Sequence, residues 1–255
     1  MSSPASEPLV SIVTPARNAA RFLPETLASI RDQDYPRIEH IVVDGGSTDG
    51  TLDILRGSPG IVWTSGPDAG MYDAINRGFR MATGDILAYQ NADDRYVVPG
   101  TVSRAVRHFL DHPEADIVYG DFRFIDETGT ARKEVRVRDF DLRALRRYNF
   151  VPPHSAFVRR RVVVEEGHWL DPTLRLPGDW DWFLRLGMAG KRFAHVDQVF
   201  SEFRRHRRST TSTLPWGVKL AEWRRVCRKN GTSLPVLLWY EGFYIPLRRR
   251  LGLLA

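Results

Sequence analysis

A single cysteine, Cys227, among 255 residues excludes an intrachain disulfide and any zinc site built from a cysteine cluster. Nowhere do eighteen apolar residues follow one another, so no segment reads as an integral span. The polar start, Met1 to Pro8, lacks the apolar run of a secretory signal. The expectation is a cytoplasmic protein. Two phosphate-binding signatures are missing as well, Gly-x-Gly-x-x-Gly and the loop ending in Gly-Lys-Ser/Thr, which counts against the dinucleotide-binding and phosphate-loop classes. Net charge is absent from most of the chain: residues 1–212 hold 29 basic and 29 acidic side chains, while residues 213–255 hold 8 and 2 and carry the whole excess of +6. No nucleic-acid module accompanies that excess, so nucleic acid is not an expected partner.

What is present alternates strand-like and helix-like runs, the pattern of an α/β domain. Val10 to Val13, Ile38 to Val43, Ile61 to Trp63, Ile86 to Tyr89 and Ile117 to Tyr119 read as strands. Between them, Leu23, Leu27 and Ile30 share one helix face, Met71 to Ala82 forms a second helix, and Val102, Ala105, Val106 and Phe109 mark a third. Phe122 to Val137 suggests a hairpin turning at Asp126 to Gly129. Val151 to Val158 suggests a further strand, and Asp179-Trp180-Asp181 opens a helix reaching about Met188. One domain over residues 1–212 and a basic, aromatic helical tail over 213–255 follow from this pattern.

Four clusters have the chemistry of a site, each with a plainer alternative. Gln90-Asn91-Ala92-Asp93-Asp94 follows a strand directly, where open α/β sheets bind ligands. Adjacent carboxylates there invite Mg²⁺ or Mn²⁺, and a loop whose acids cap the next helix explains them equally. Asp44 to Thr51 brings Gly-Gly and Asp-Gly steps that let backbone approach a nucleotide, or simply cap a β-α turn. Asp179 and Asp181 start a helix, where an ionised base or an N-terminal cap fits. Arg204 to Arg208 before Ser209 offers phosphate donors or a solvated basic turn. His154, beside two prolines, reads as a ligand contact or a satisfied core histidine.

Taken in order, the segments Val10 to Pro15, Ile41 to Thr51, Asp68 to Gly78, Ala82 to Asp85, Asn91 to Asp94, His154 to Phe157 and Gly178 to Asp181 resemble family 2 glycosyltransferases. The resemblance covers about Leu9 to Ser212. It implies the GT-A arrangement, a mixed, mostly parallel sheet flanked by helices. It also implies inverting transfer of a hexosyl unit from a nucleoside-diphosphate sugar to a hydroxyl of a glycan or lipid-linked acceptor, in surface glycan or glycolipid synthesis. By the same resemblance Thr14, Pro15, Asp44 and Asp68 border the nucleoside. Asp93 holds Mn²⁺ or Mg²⁺, with Asn91 and Asp94 beside it at the donor sugar. Asp179 is the general base, and His154, Arg204, His206 and Ser209 contact the nucleotide sugar.

Two positions depart from the family pattern. Asn91 stands where the first acid of Asp-x-Asp is expected, leaving Asp93 as the main metal ligand. Ala74-Ile75-Asn76 replaces a more usual Ala-Arg-Asn, removing one basic nucleotide contact. In the tail, Trp216, Trp223, Trp239, Tyr240, Phe243 and Tyr244 alternate with arginines and lysines, which suits an anionic membrane surface, with docking on the domain or on a second subunit as the alternative. A sugar nucleotidyltransferase would share the sheet but show an early basic, Gly-rich loop. A silent sugar-nucleotide-binding or scaffold protein would be expected to have lost Asp44, Asp93 and Asp179.

Overall fold

The computed structural model describes residues 7–97, 99–207 and 209–233. β1 (Val10–Ala16) is buried along its whole length, as a strand covered by helices on both faces must be. With β2 (Ile38–Asp44), β3 (Ile61–Ser65) and β4 (Ile86–Tyr89) it forms a parallel half-sheet in the order β3-β2-β1-β4. The helices between these strands are α1 (Leu23–Arg31), α2 (Thr51–Arg56) and α3 (Met71–Met81), and Leu23, Leu27 and Ile30 form the buried face of α1. Gly78 lets α3 lie close on β1, since a Cβ there would sit 2.3 Å from Val13 Cγ1.

The second half adds β5 (Arg95–Tyr96), α4 (Thr101–Asp111), β6 (Ile117–Ile125), β7 (Ala131–Val135), α5 (Leu142–Leu145), a 3₁₀ turn at Pro153–Ser155 and β8 (Ala156–Arg159). It continues through α6 (Arg160–Val164), α7 (Gly178–Met188), β9 (Phe193–Arg204), α8 (Thr210–Thr213) and α9 (Trp216–Asn230). The sheet runs β3-β2-β1-β4-β8-β6-β9-β5, with β7 pairing with β6. β8 is antiparallel to both β4 and β6, which returns β6 and its parallel neighbour β9 to the direction of β1. All six of these co-directional strands therefore end at one edge.

The two faces carry separate cores. Val13, Val43, Leu87, Tyr119 and Val158 pack with α3 and α7, whereas Val10, Ile12, Ile86, Ala88, Val118, Phe157 and Phe200 pack with α4 and with Ile30 of α1.

Three differences from the sequence reading have physical causes. Val151 to Ser155 is not strand, because Pro153 opens the 3₁₀ turn and pairing begins only at Ala156. β9, twelve residues beside β6, went unread because its buried polar side chains Ser201, Glu202 and Arg204 break the apolar pattern. Its pairing with β6 also shifts register around Asp121. In the tail, α9 lies on the domain: Trp223 meets Trp180 at 4.9 Å, while Asn230 and Lys229 bond to the buried Asp181 at 2.8 and 3.0 Å. Of the aromatics behind the membrane reading, Trp239, Tyr240, Phe243 and Tyr244 lie outside the described residues. Among the described residues no helix is long and apolar enough to cross a membrane.

Candidate active site

The shared edge is the candidate site by topology, because chain order reverses on either side of β1, where open α/β sheets form a crevice beyond the carboxyl ends of their strands. Asp44, the last residue of β2, is buried there. It accepts hydrogen bonds from the amides of Gly46 and Ser47 at 3.0 Å each, from Ser65 Oγ at 2.6 Å and from Ser47 Oγ. Burial pushes its pKa up, but these four donors outweigh burial and hold it below the ordinary value. Three of them converge on Oδ2, while Oδ1 accepts only from Ser47 Oγ and keeps a lone pair to offer. Thr14 and Pro15 lie in β1 beside this turn, Thr14 Oγ1 being 2.9 Å from His40 Nε2. Asp68 closes over the turn: a Cβ at Gly45 would lie 2.5 Å from Asp68 Oδ2, so only glycine admits this approach.

Across β1, the acid pair follows β4. Asp94 is buried and accepts from the Arg204 amide at 2.9 Å and from Asn91 Nδ2 at 3.0 Å. Burial, then the neighbouring Asp93 carboxylate, pushes its pKa well up. Asp93 is the more open of the two, and its Oδ2 lies 2.8 Å from His206 Nε2. Arg204 is wholly enclosed. Its guanidinium donates to Asp93 O and Glu25 at 2.9 and 2.6 Å and lies 4.6 Å from the centre of the Phe22 ring. It is therefore a brace for the acidic loop, with no surface left for a phosphate.

Asp93 and Asn91 together fit a hard divalent cation. Asn91 Oδ1 is buried without a hydrogen-bond partner, and Asp93 Oδ1 has none among the described residues, so each has an oxygen left to offer a cation. Among the described residues no group of three or more His, Cys, Asp or Glu side chains is arranged for a metal. Substrate phosphates and water would therefore complete the shell, as is usual for Mg²⁺.

Asp179 sits in the first turn of α7, half-buried. Its Oδ1 accepts from the Trp180 amide at 2.9 Å, and its Oδ2 accepts from Asn149 Nδ2 at 3.2 Å. Tyr72 OH is 3.5 Å away but gives its proton to Leu176 O at 2.7 Å. Burial is the largest influence and raises the Asp179 pKa to about 6, where a carboxylate serves as a base near neutrality. Tyr89 ends β4 and is buried. Burial, then the neighbouring Asp179, Tyr72 and Asp94, raise its pKa well above the ordinary value, so it stays a neutral phenol.

Two residues from the sequence reading stand apart. His154 is 4 % exposed, bonds to Ser201 Oγ at 2.6 Å and contacts the rings of Phe122 and Phe203; burial lowers its pKa to about 3. It is a packed neutral histidine. Ser209 caps α8, bonding to the amide and hydroxyl of Ser212. Conversely, sequence reasoning passed over Tyr72, Tyr89, Asn149 and Glu222. Glu222 of α9 accepts the amides of Arg175 and Leu176 at 3.1 and 3.0 Å, pinning the loop that leads into Asp179. Tyr72 lies inside the Asp68 to Gly78 segment and was accessible there; Asn149 and Glu222 carry no local signal.

Comparison with known proteins bears on the family and the fold. An uncharacterised glycosyltransferase of Mycobacterium tuberculosis is 35% identical over 188 residues, covering 72% of this chain and 71% of its own length. A PGL/p-HBAD biosynthesis glycosyltransferase of the same species is 34% identical over 187 residues, covering 70% and 69%. Two solved structures share the fold. Residues 1–349 of Staphylococcus aureus TarS in complex with UDP-GlcNAc superpose with a TM-score of 0.70 at 16% identity, covering 87% of this chain and 66% of that one. The Pyrobaculum calidifontis mannosyltransferase PcManGT, solved with GDP-Man and Mn²⁺, gives 0.66 at 21% identity, covering 98% and 73%. The profile described as Glycosyl transferase family 2 matches residues 11–167, and with it the chain belongs to that family and carries the GT-A fold.

Proposed function

We propose that the protein is an inverting glycosyltransferase that moves a hexosyl unit from a nucleoside-diphosphate sugar to an acceptor hydroxyl in glycan or glycolipid synthesis. The observation that carries this reading is Asp179: a half-buried carboxylate with its pKa raised to about 6, held by Asn149 and the Trp180 amide on the α3 and α7 side of the sheet. Asp179 takes the proton of the acceptor hydroxyl as that oxygen attacks the anomeric carbon, and the nucleoside diphosphate leaves from the opposite side. One displacement inverts the centre. Asn149 and the Trp180 amide hold the carboxylate in one orientation, so no reorganisation accompanies attack. Asp93, with Asn91 and His206 beside it, would hold Mn²⁺ or Mg²⁺, which when bound neutralises charge on the leaving diphosphate. The turn at Asp44 and Asp68, with Thr14 and Pro15, is the nucleoside end, as backbone glycines there allow close approach. The PcManGT and TarS donors, GDP-Man and UDP-GlcNAc, are the first candidates to try.

Replacement of Asp179 by Asn tests the assignment. The variant is expected to bind donor normally while turnover falls by roughly 10²–10⁴. Near-native turnover in a folded Asp179→Asn protein overturns the base assignment.

A further inference from the structure

Three phenylalanines stand outside every packed core of the described chain. Phe122, Phe124 and Phe203 are half-buried and meet edge to face, with ring centres 5.1 Å apart for the first pair and 5.8 Å for Phe124 and Phe203. None joins the clusters of buried apolar residues on either face or packs against them. Their face follows from strand alternation. Arg123 and Glu202 point to the α1 side, where Arg95 and Glu25 complete a chain of ion pairs. Phe122, Phe124 and Phe203 therefore take the opposite face. That is the face on which α7 packs and presents Asp179.

Register then lines up a row. Phe124 stands directly across from Lys133 of β7 on one side and Phe203 of β9 on the other, and facing residues send their side chains to the same face. The guanidinium carbon of Arg205 lies 3.8 Å from the centre of the Phe124 ring. A hollow of about 290 Å³ opens here, lined by Phe124, Ile125, Asp126, Arg132, Lys133 and Arg205. Arg132 is bound to Asp126 at 2.6 Å, whereas neither Lys133 nor Arg205 makes an ion pair among the described residues. The residues flanking Arg205 are Arg204 and His206, which bond to Asp94 and Asp93, so the row ends one residue from the acid pair.

We infer that this row is the acceptor subsite, and that it receives a ring bearing an anionic group, a carboxylate or a phosphate. The inference rests on the transferase reading given above. A half-buried aromatic floor gains by covering its remaining surface with the apolar face of a ring. Two cations without an ion pair among the described residues stand at its margin and favour negative charge, and the Arg205 guanidinium, 3.8 Å from the centre of the Phe124 ring, can offer its donors to an oxyanion. The volume, at the lower end of ligand sites of roughly 300–1,000 Å³, accommodates one such ring and not a whole lipid chain. Affinity for the anionic ring places the acceptor on the base's side of the sheet.

Three probes test this by direct titration of the full chain: p-nitrophenyl β-D-glucuronide, the neutral p-nitrophenyl β-D-glucoside and p-nitrophenyl phosphate. Each is measured at low and high salt against native protein, Arg205→Gln and Lys133→Gln, both exposed positions. Thermal melts and nucleoside-diphosphate titrations serve as controls. The expected result is binding of the anionic probes about tenfold tighter than the neutral glucoside, weakened by salt and abolished in Arg205→Gln, with nucleoside-diphosphate affinity kept. Preference for glucuronide over phosphate identifies a uronate-type acceptor, and the reverse a phosphate-bearing one. Equal or absent binding of the anionic probes overturns the inference. So does an Arg205→Gln variant that loses nucleoside-diphosphate affinity while keeping the probes. Binding is read without turnover, so a native protein that binds the anionic probes but transfers no sugar counts against the transferase reading alone.

Discussion

Removing the negative charge of Asp179 is expected to stabilise the fold while it destroys turnover. A carboxyl group whose pKa is higher in the folded chain than in the unfolded one is penalised when ionised. For Asp179 the rise from 3.8 to about 6 is close to two pH units, or about 3 kcal/mol at 1.36 kcal/mol per unit. That figure is an upper bound, because the carboxylate is only half-buried, and an Asn side chain also gives up about 1 kcal/mol of the hydrogen bond from Asn149. The net gain for Asp179→Asn is about 1–2 kcal/mol, a rise in Tm of roughly 2–8 °C for a chain of this size. Its pH dependence has a definite sign. The penalty is fully present above about pH 6, shrinks as pH falls through 6, and is gone below the unfolded value near 3.8. Thermal melts of native protein and Asp179→Asn at pH 8 and pH 4.5 read this directly. A variant less stable than native at pH 8, or a gap that is the same at both pH values, refutes the reasoning.

Two further perturbations probe the supports of the site. Arg204→Met removes the buried partner of the Asp93 carbonyl and leaves Glu25 to Arg95 alone, and is expected to cost about 1–3 kcal/mol, seen as a lower denaturant midpoint; a change under about 0.5 kcal/mol means the guanidinium is not a brace. Glu222→Ala frees the amides of Arg175 and Leu176 and is expected to lower stability by about 1–3 kcal/mol and to speed proteolysis within residues 171–177 of the loop before Asp179. Unchanged cleavage there would show that α9 does not restrain the loop.

How much of this was legible in the sequence depended on distance along the chain. The parallel half-sheet was readable because Val10 to Val13, Ile38 to Val43 and Ile86 to Tyr89 are short apolar runs bounded by turn residues. Leu23, Leu27 and Ile30 likewise marked α1 by period alone. β9 was not readable. Its interior holds Glu202 and Arg204, tolerated there only because Arg95, Arg123, Glu25 and the acidic loop, far off in sequence, satisfy them. The same distance hid Asn149 and Glu222, which act across 30 or more residues from irregular or tail segments. Local spacing also made Arg204 look like a phosphate donor, since Arg204 to Arg208 is a basic run. The fold turns the Arg204 side chain inward and leaves Arg205 at the surface.

The most direct test of the account is release of nucleoside diphosphate from a panel of sugar nucleotides, GDP-mannose and UDP-N-acetylglucosamine among them, with Mn²⁺, Mg²⁺ or chelator, for native protein and Asp93→Ala. The account predicts slow release from one donor, supported by a divalent ion and lost in Asp93→Ala. Native protein that neither binds nor cleaves any donor under any of these conditions would contradict it.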